Sequence, residues 1–146
     1  MTEPIMKRPE IMCSYLNFDG NCEEAMAAYA DALDGELECC MYFEGSDAEN
    51  HVPDHWHGKV LHAQLKIGPW TLMACDAPPG MYTKPQGMHV QITVDNAADA
   101  EKIYAALSKG GTVTMKLERT FWAERFGMWV DRFGIPWMIN FQGDVQ

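Results

Sequence analysis

The sequence has few basic residues and no long apolar run. Its 146 residues include 11 Lys and Arg against 21 Asp and Glu, which gives a formal net charge of −10 at pH 7. Nucleic-acid binding depends on Lys and Arg that neutralise phosphates, so this deficit argues against a nucleic-acid partner and against an anionic membrane surface. No stretch of about 18 apolar residues occurs, so no membrane-spanning helix is expected. The charge favours a neutral or cationic small molecule as partner.

The cysteines form neither a disulfide framework nor a zinc-binding pattern. There are five, an odd number. Cys39 and Cys40 are adjacent, and no Cys-x-x-Cys spacing occurs. This usage is typical of reduced thiols. The N-terminal MTEPIMKRPEIM also lacks the apolar segment of a secretory signal. We therefore expect a cytoplasmic protein.

Several motifs that define enzyme classes are missing. The sequence contains no glycine-rich phosphate loop, no G-x-S-x-G elbow, no H-E-x-x-H pair and no dinucleotide-binding fingerprint. Its composition is that of an ordinary packed domain, with 47% hydrophobic and 22% charged residues. These observations predict one globular domain over residues 1–146. They do not identify a catalytic motif.

What the sequence does contain is an internal repeat. Asn21 and Asn96 are each followed by Ala, Tyr and Gly at offsets of 4, 8 and 14 residues. IGPWTLMAC in the first half is echoed by FGIPWMINF in the second. We therefore predict an α+β fold of two βαβββ modules, over about 11–76 and 87–142, that form cupped mixed sheets.

Local patterns predict the individual elements. Asn21 and Asn96 are good N-caps, each with an acidic residue three positions later, and they predict helices near 22–34 and 97–109. Polar, turn-rich residues predict a long loop over 45–58. Alternating apolar residues predict about eight strands, among them 11–20, 36–43, 59–67, 70–76, 88–96 and 112–118.

Three segments resemble the vicinal oxygen chelate superfamily, which includes glyoxalase I, extradiol dioxygenases, and fosfomycin and bleomycin resistance proteins. Within it, the sequence is most similar to the PhnB-like group. The segments are YLNFDGNCEEAMAAYADALDGEL, VLHAQLKIGPWTLMACDAPPG and TFWAERFGMWVDRFGIPWMINF. Proteins of this group have also been labelled ubiquinone-pathway methyltransferases. We do not expect that activity here, because no glycine-rich cofactor motif follows a strand.

The resemblance implies a divalent metal in each concave sheet, held by His, Gln or Glu from the first and last strands of the modules. The matching positions are His89, Asn140, Ser14 (or Cys13) and Met73 or Ala74. Of these only His89 is a good ligand, and Asn140 offers a neutral oxygen where a carboxylate is usual. We therefore expect either no metal or a weakly bound zinc, iron or manganese ion.

Polar rows on two predicted strands supply candidate ligand-binding residues. His89 shares one strand face with Gln91 and Thr93, and His62 shares another with Gln64 and Lys66. Each row either faces a ligand or is simply solvated, and each histidine serves either as a ligand or acid–base contact or as a structural group. The complete candidate set is His62, Asp76, His89, Gln91, Trp122 and Asn140.

Other candidates have equally plain structural alternatives. Asp76, at the end of a strand, either holds a cationic ligand group or caps the following turn. The segment HVPDHWH (51–57) contains three histidines, but Pro53 prevents the helix that would align them, so a surface loop is predicted. Trp122 is the candidate for the cavity wall, and Trp56 for a lid.

The aromatic segment 121–137 predicts either core packing or a dimer contact. The superfamily commonly completes each cup with a second chain, so the resemblance implies a homodimer, with Trp122, Phe126 and Trp129 matching across the axis. Three functions follow: a metal-free small-molecule-binding protein, whose ligand is cationic or aromatic; a divalent-metal-dependent lyase or dioxygenase-like enzyme; and a structural or regulatory dimer without a ligand. We favour the first.

Overall fold

The computed structural model of the chain describes residues 6–145. The first module consists of β1 (Tyr15–Phe18), α1 (Cys22–Leu33), β2 (Glu36–Tyr42), β3 (Val60–Ile67) and β4 (Trp70–Asp76). The second consists of β5 (Val90–Thr93), α2 (Ala97–Ser108), β6 (Thr112–Glu118), β7 (Arg125–Val130) and β8 (Pro136–Phe141). The predicted pair of βαβββ modules, with two α-helices and eight strands within residues 6–145, is confirmed.

Each module folds into one mixed sheet. The strand orders are β1-β4-β3-β2 and β5-β8-β7-β6. In both sheets the first strand runs parallel to the last strand of its module, and the remaining pairs are antiparallel. Each helix packs on its own sheet and also against the other helix. The predicted polar rows, which contain His62 and Gln64 in the first module and Gln91 and Thr93 in the second, therefore lie on the face of each sheet opposite its helix.

Two predicted strands are shorter in the structure. The predicted strand 11–20 is reduced to Tyr15–Phe18, and 88–96 is reduced to Val90–Thr93. Each pairs with the last strand of its own module over four residues, which sets the length of the strand. The predicted loop 45–58 contains two single turns of 3₁₀ helix, Glu49–His51 and Asp54–Trp56.

The two helices begin differently. The Asn96 side chain accepts a hydrogen bond of 2.8 Å from the backbone N–H of Asp99, so this predicted N-cap is confirmed. The Asn21 side chain makes no capping bond, so that prediction was wrong. The N-terminus of α1 is instead capped by a carboxylate from β4, described below.

The hydrophobic core joins the two modules. Tyr29 of α1 is fully buried and packs edge-on against Trp137 of β8, with ring centroids 5.0 Å apart. Its ring also meets Phe133 edge-on at 6.0 Å. Because aromatic contacts of this kind contribute both apolar area and oriented electrostatic attraction, they hold the first helix on the second sheet.

A buried carboxylate completes this contact. Asp131 is only 4% exposed. Its Oδ2 accepts hydrogen bonds from the Tyr29 hydroxyl (2.5 Å) and from the indole N–H of Trp137 (2.8 Å). Its Oδ1 accepts the backbone N–H groups of Phe133 and Ile135, each at 2.9 Å. Burial, and then the adjacent Asp131 charge, raise the pKa of Tyr29 well above its ordinary value, so its hydroxyl remains a donor.

Replacing Tyr29 with Phe should destabilise the fold without changing its shape. The substitution removes one donor from a buried carboxylate, and hydrogen bonds to buried charged groups contribute about 1.5–3 kcal/mol. We expect the free energy of unfolding in urea to fall by about that amount. Tyr104→Phe is the matched control, because Tyr104 has the equivalent place on α2 and packs on Trp129 without contacting Asp131. Equal losses in the two variants would contradict this role.

Candidate functional site

Asp76 is a structural residue at the end of β4. It is 1% exposed, and its Oδ1 accepts the backbone N–H groups of Gly20 and Cys22, both at 2.9 Å. Its Oδ2 accepts the N–H of Val60 at 2.9 Å. The carboxylate therefore caps α1 and ties it to the start of β3. Of the two roles considered for Asp76, the structure supports capping, since no ligand could reach this carboxylate.

His62 lies on the open face of the first sheet, beside Tyr15. The Tyr15 hydroxyl and His62 Nδ1 are 3.1 Å apart. On the same face, the Cys75 thiol donates to Asn17 Oδ1 at 3.3 Å. Burial, and next the neighbouring Cys75, raise the pKa of Tyr15 to about 12, and burial raises the pKa of Cys75. Tyr15 and Cys75 are therefore protonated at neutral pH, and this face offers hydroxyl and thiol groups rather than anions.

Asn140 and Trp122 belong to the open face of the second sheet. Asn140 is the register partner of Thr93, whose hydroxyl accepts a hydrogen bond of 2.8 Å from the Gln91 side chain. Trp122 is 39% exposed, and its ring lies edge-on to Phe121 (4.6 Å) and Phe126 (5.2 Å). This face combines a polar row with an exposed aromatic cluster.

Two aromatic residues predicted at a dimer contact are instead covered by other residues of the same chain. Trp129 is fully buried, edge-on to Tyr104 at 5.7 Å and stacked with Trp137 at 6.4 Å. Phe126 is also buried. The prediction that these two residues match across a dimer axis is therefore wrong for this chain. The physical reason differs for the two residues, which face opposite sides of the central strand β7. Trp129 lies under α2, whereas Phe126 is covered on the open face by the Trp122 ring, 5.2 Å away.

A cavity of about 810 Å³ lies between the two modules. We call it the inter-module cleft. Its walls are the segment 10–14, the β3–β4 hairpin around Trp70, and β5 with the preceding His89. Leu33 and Ile92 contribute to its apolar lining, and the fully buried Trp137 lies behind them. A smaller cavity of about 420 Å³ continues along the same strands and is lined by 13–17 and 83–90, without Gly87.

The cleft brings together two of the six candidate residues, His89 and Gln91. The other four lie elsewhere: His62 on the first sheet's open face, Asn140 and Trp122 on that of the second, and Asp76 in the interior. Sequence reasoning missed Trp70, which lines the cleft and is 72% exposed. Its position beside the Gly68–Pro69 turn marked it as a hairpin residue, but no local pattern indicated which element it would face.

The residues suggested for a metal do not fit one. A rise of roughly 3.3 Å per residue puts His89 on the order of 13 Å along the strand from Thr93, the partner of Asn140. Ala74 is fully buried, and Met73 is next to it on the opposite face. Within residues 6–145, no three His, Cys, Asp or Glu side chains form a group that could hold an ion.

The histidine-rich loop is held by local contacts. His57 Nε2 lies 3.0 Å from the backbone oxygen of Glu49, and its ring is 3.9–4.0 Å from the carboxylates of Glu49 and Asp54. The His55 ring lies edge-on to Trp56, which is buried. These contacts make 51–57 a structured surface loop, and Trp56 belongs to the interior.

The paired modules and open sheet faces define a protein of the vicinal oxygen chelate fold, the class of glyoxalase and bleomycin resistance proteins. The chain belongs to the family described as 3-demethylubiquinone-9 3-methyltransferase, whose model matches residues 10–140. PhnB-like proteins are in this group. A solved structure with the same description, PhnB protein from Bacillus cereus, is 22% identical with a TM-score of 0.76, and the match covers 89% of this chain and 98% of that one.

Closer relatives have no stated activity. The crystal structure of PA1353 from Pseudomonas aeruginosa is 41% identical, with a TM-score of 0.85 over 93% of this chain and 100% of that one. Protein YjdN of Escherichia coli K12 is 30% identical over 86% of this chain and 91% of its own length. At the level of fold alone, TnmS3, an antibiotic-binding protein from Streptomyces sp. CB03234, is 17% identical with a TM-score of 0.58, over 94% and 99%.

One structural finding bears on membranes. Along residues 6–145, no helix has the length and apolar character needed to cross a bilayer.

Asp76→Ala should destabilise the fold because it leaves three buried backbone N–H groups without an acceptor. Each such group costs about 1–3 kcal/mol, so we expect a loss of at least 2 kcal/mol or so in the free energy of unfolding. Asp19→Ala is the control, because Asp19 is an exposed carboxylate in the same turn. Urea titration of both variants measures the difference. An Asp76→Ala protein as stable as Asp19→Ala would show that the cap has no energetic role.

Proposed function

We propose that this protein binds a small organic molecule in the inter-module cleft and that binding needs no divalent metal. The observation that carries the proposal is the cleft itself. It combines apolar lining from Leu33 and Ile92 with two polar side chains, Gln91 on β5 and His89 immediately before it. Small-molecule sites are typically concave, mostly apolar and supplied with a few such polar groups, and about 810 Å³ is within their usual range.

The electrostatic field favours a neutral or cationic ligand. The net charge of −10 attracts cations. Trp70 at the mouth of the cleft is 72% exposed, so its ring face is available for an aromatic ring or an ammonium group. Glu10 is also on the wall. An aromatic or cationic compound therefore suits this site better than an anion, and nucleic acid does not suit it.

The metal-dependent alternative has less support. His89 is the only strong candidate ligand, and Asn140 is too far along the sheet to share an ion with it. Methyl transfer, the activity in the family's description, is not carried over either. The sequence has no glycine-rich cofactor-binding motif after a strand. Relatives in this fold supply precedent for binding alone, since TnmS3 is described as an antibiotic-binding protein.

Ligand binding should be visible in the fluorescence of Trp70. In a screen of neutral and cationic aromatic compounds, we expect hits that quench tryptophan emission, and Trp70→Phe should lose most of the change. His89→Ala and Gln91→Ala should each weaken binding roughly threefold to tenfold, as expected for one lost polar contact. His55→Ala is the control, because His55 is exposed in the 51–57 loop.

The same titrations with and without EDTA test the metal. Equal affinities, together with less than one equivalent of zinc, iron or manganese in the purified protein, are expected. The proposal would be contradicted if the purified protein held a full equivalent of metal and EDTA removed both the metal and the ligand binding. It would also be contradicted if no compound in the screen changed the fluorescence of Trp70.

We also propose that the protein is a cytoplasmic homodimer. The five cysteines are free, which suits a reducing compartment. Phe121 is 87% exposed and Trp122 39%, and together they form an aromatic surface of the kind that interfaces use. This surface takes the place of the contact predicted at Phe126 and Trp129.

Light scattering tests the dimer. We expect a mass near twice the chain mass of 16.5 kDa at micromolar concentration. Phe121→Ser should shift the equilibrium toward monomer, whereas Val113→Ser, at an exposed apolar residue on β6, should not. A mass of one chain that persists on concentration would disprove the dimer.

A further inference from the structure

The four outer edges of the two sheets are not equally protected. The edges formed by β2 and β6 each contain two irregularities of register, and both strands carry charged residues, for example Glu38 and Lys116. Bulges and charges of this kind prevent a further strand from pairing. The edges formed by β1 and β5 have a regular register and no charged residue in their strands. These two unprotected edges both line the cavities between the modules.

The backbone groups that point away from β5 can be identified. The N–H of Val94 donates to the carbonyl of Asn140 in β8. Because the N–H and C=O of successive strand residues point to opposite sides, those of residues 90, 92 and 94 point toward β8. Those of His89, Gln91 and Thr93 therefore point outward, into the inter-module cleft.

The same reasoning applies to β1. The carbonyls of Ser14 and Phe18 accept hydrogen bonds from N–H groups of Met73 and Ala77. The backbone groups of residues 13, 15 and 17 therefore point away from β4. Residues 10–14 line the larger cavity together with 89–93, and residues 13–17 line the smaller one with 88–90. Within residues 6–145 neither edge pairs with a further strand. The β5 edge borders both cavities, and β1 borders the smaller one, with the preceding residues 10–14 on the larger one.

The surroundings of this gap are apolar. Five large hydrophobic side chains with exposed surface lie on the walls of the two cavities: Ile11, Met12, Tyr15, Trp70 and Met88. Such a concentration of exposed apolar residues is typical of a binding surface. Within the larger cavity, the charged groups on the walls are few and of both signs, Glu10 and Lys66 with the titratable His89.

We propose that the ligand of the cleft is a short, extended, uncharged peptide that adds as a strand to the free edge of β5. This inference rests on the proposed function, because it names the ligand class of the same cleft. Three outward residues, His89, Gln91 and Thr93, each offer one N–H and one C=O. At roughly 3.3 Å per residue, this edge accommodates about five ligand residues.

Strand addition also explains how specificity would arise. Main-chain hydrogen bonds supply affinity, and alternate side chains of the added strand enter pockets. On one side they would meet the apolar side chains of Val90 and Ile92, and on the other the polar row of Gln91 and Thr93. The preferred peptide therefore alternates apolar and small polar residues.

The test uses the full chain and a blocked pentapeptide, acetyl-Thr-Val-Thr-Val-Thr-amide. Gln91→Pro removes the outward N–H of β5 and leaves the β5–β8 ladder intact, because proline is tolerated on the open side of an edge strand. Gln91→Ala is the matched control, because it removes the side chain and keeps the N–H. We expect Gln91→Ala to weaken peptide binding roughly threefold to tenfold, because one polar side-chain contact is lost, and Gln91→Pro to weaken it roughly tenfold further.

Two further measurements keep the test decisive if Gln91→Pro does not fold. A peptide N-methylated at every amide should bind at least about tenfold more weakly than its parent. In the unaltered protein, the parent peptide should slow amide hydrogen exchange at Gln91 and Thr93.

Three results would overturn the inference. The first is an N-methylated peptide that binds as well as its parent, and the second is a loss with Gln91→Ala equal to that with Gln91→Pro. The third is that the peptide does not bind and that light scattering shows Gln91→Pro dissociating a dimer. That result would mean that a second copy of the chain covers the β5 edge. Aromatic compounds that bind where the peptide does not would defeat this inference and leave the proposed function standing.

Discussion

The buried carboxylate of Asp131 is the constraint on which the arrangement of the two modules depends. An unpaired carboxylate in the interior would be costly, so all four of its donors must be in place together. Two of those donors, Tyr29 and Trp137, belong to different modules, and two are backbone groups of the β7–β8 turn. Once Tyr29 is placed on β8, the position of the first sheet relative to the second follows.

The cleft is a consequence of that placement. Trp137 is held by Asp131 and Tyr29 and is fully buried directly behind the cleft wall. The β3–β4 hairpin of the first sheet then faces β5 of the second. The cleft therefore lies on the junction that the buried hydrogen bonds stabilise, so its walls are held by the core rather than by loops.

The architecture could be predicted from the sequence because its signals are local. The matched offsets after Asn21 and Asn96 and the alternation in the strands predicted both modules correctly. The long-range contacts could not be predicted in this way. Tyr29 and Tyr104 occupy the same place in the repeat, yet only Tyr29 meets a buried carboxylate, and nothing near Tyr29 in the sequence indicates a partner 102 positions away.

The candidate site was predicted in part for the same reason. Alternation grouped His89 with Gln91 on one strand face, and the structure places both residues on the cleft wall. It could not show that His62 and Asn140 belong to the open faces of different sheets, or that Trp70 turns toward β5, because these depend on how the modules pack. From the sequence, Asp76 could either bind a cationic ligand or cap a turn. The three backbone N–H groups that donate to its carboxylate in the structure distinguish these roles.

The different caps of the two helices imply an order of assembly. Asn96 caps α2 through a residue three positions later, so this helix start can form as soon as its own turn closes. The start of α1 depends on Asp76, 54 positions beyond Cys22, and a loop of that length must close before the cap exists. During folding, the second helix can thus be complete early, whereas the first is secured only when β4 has docked beside β1.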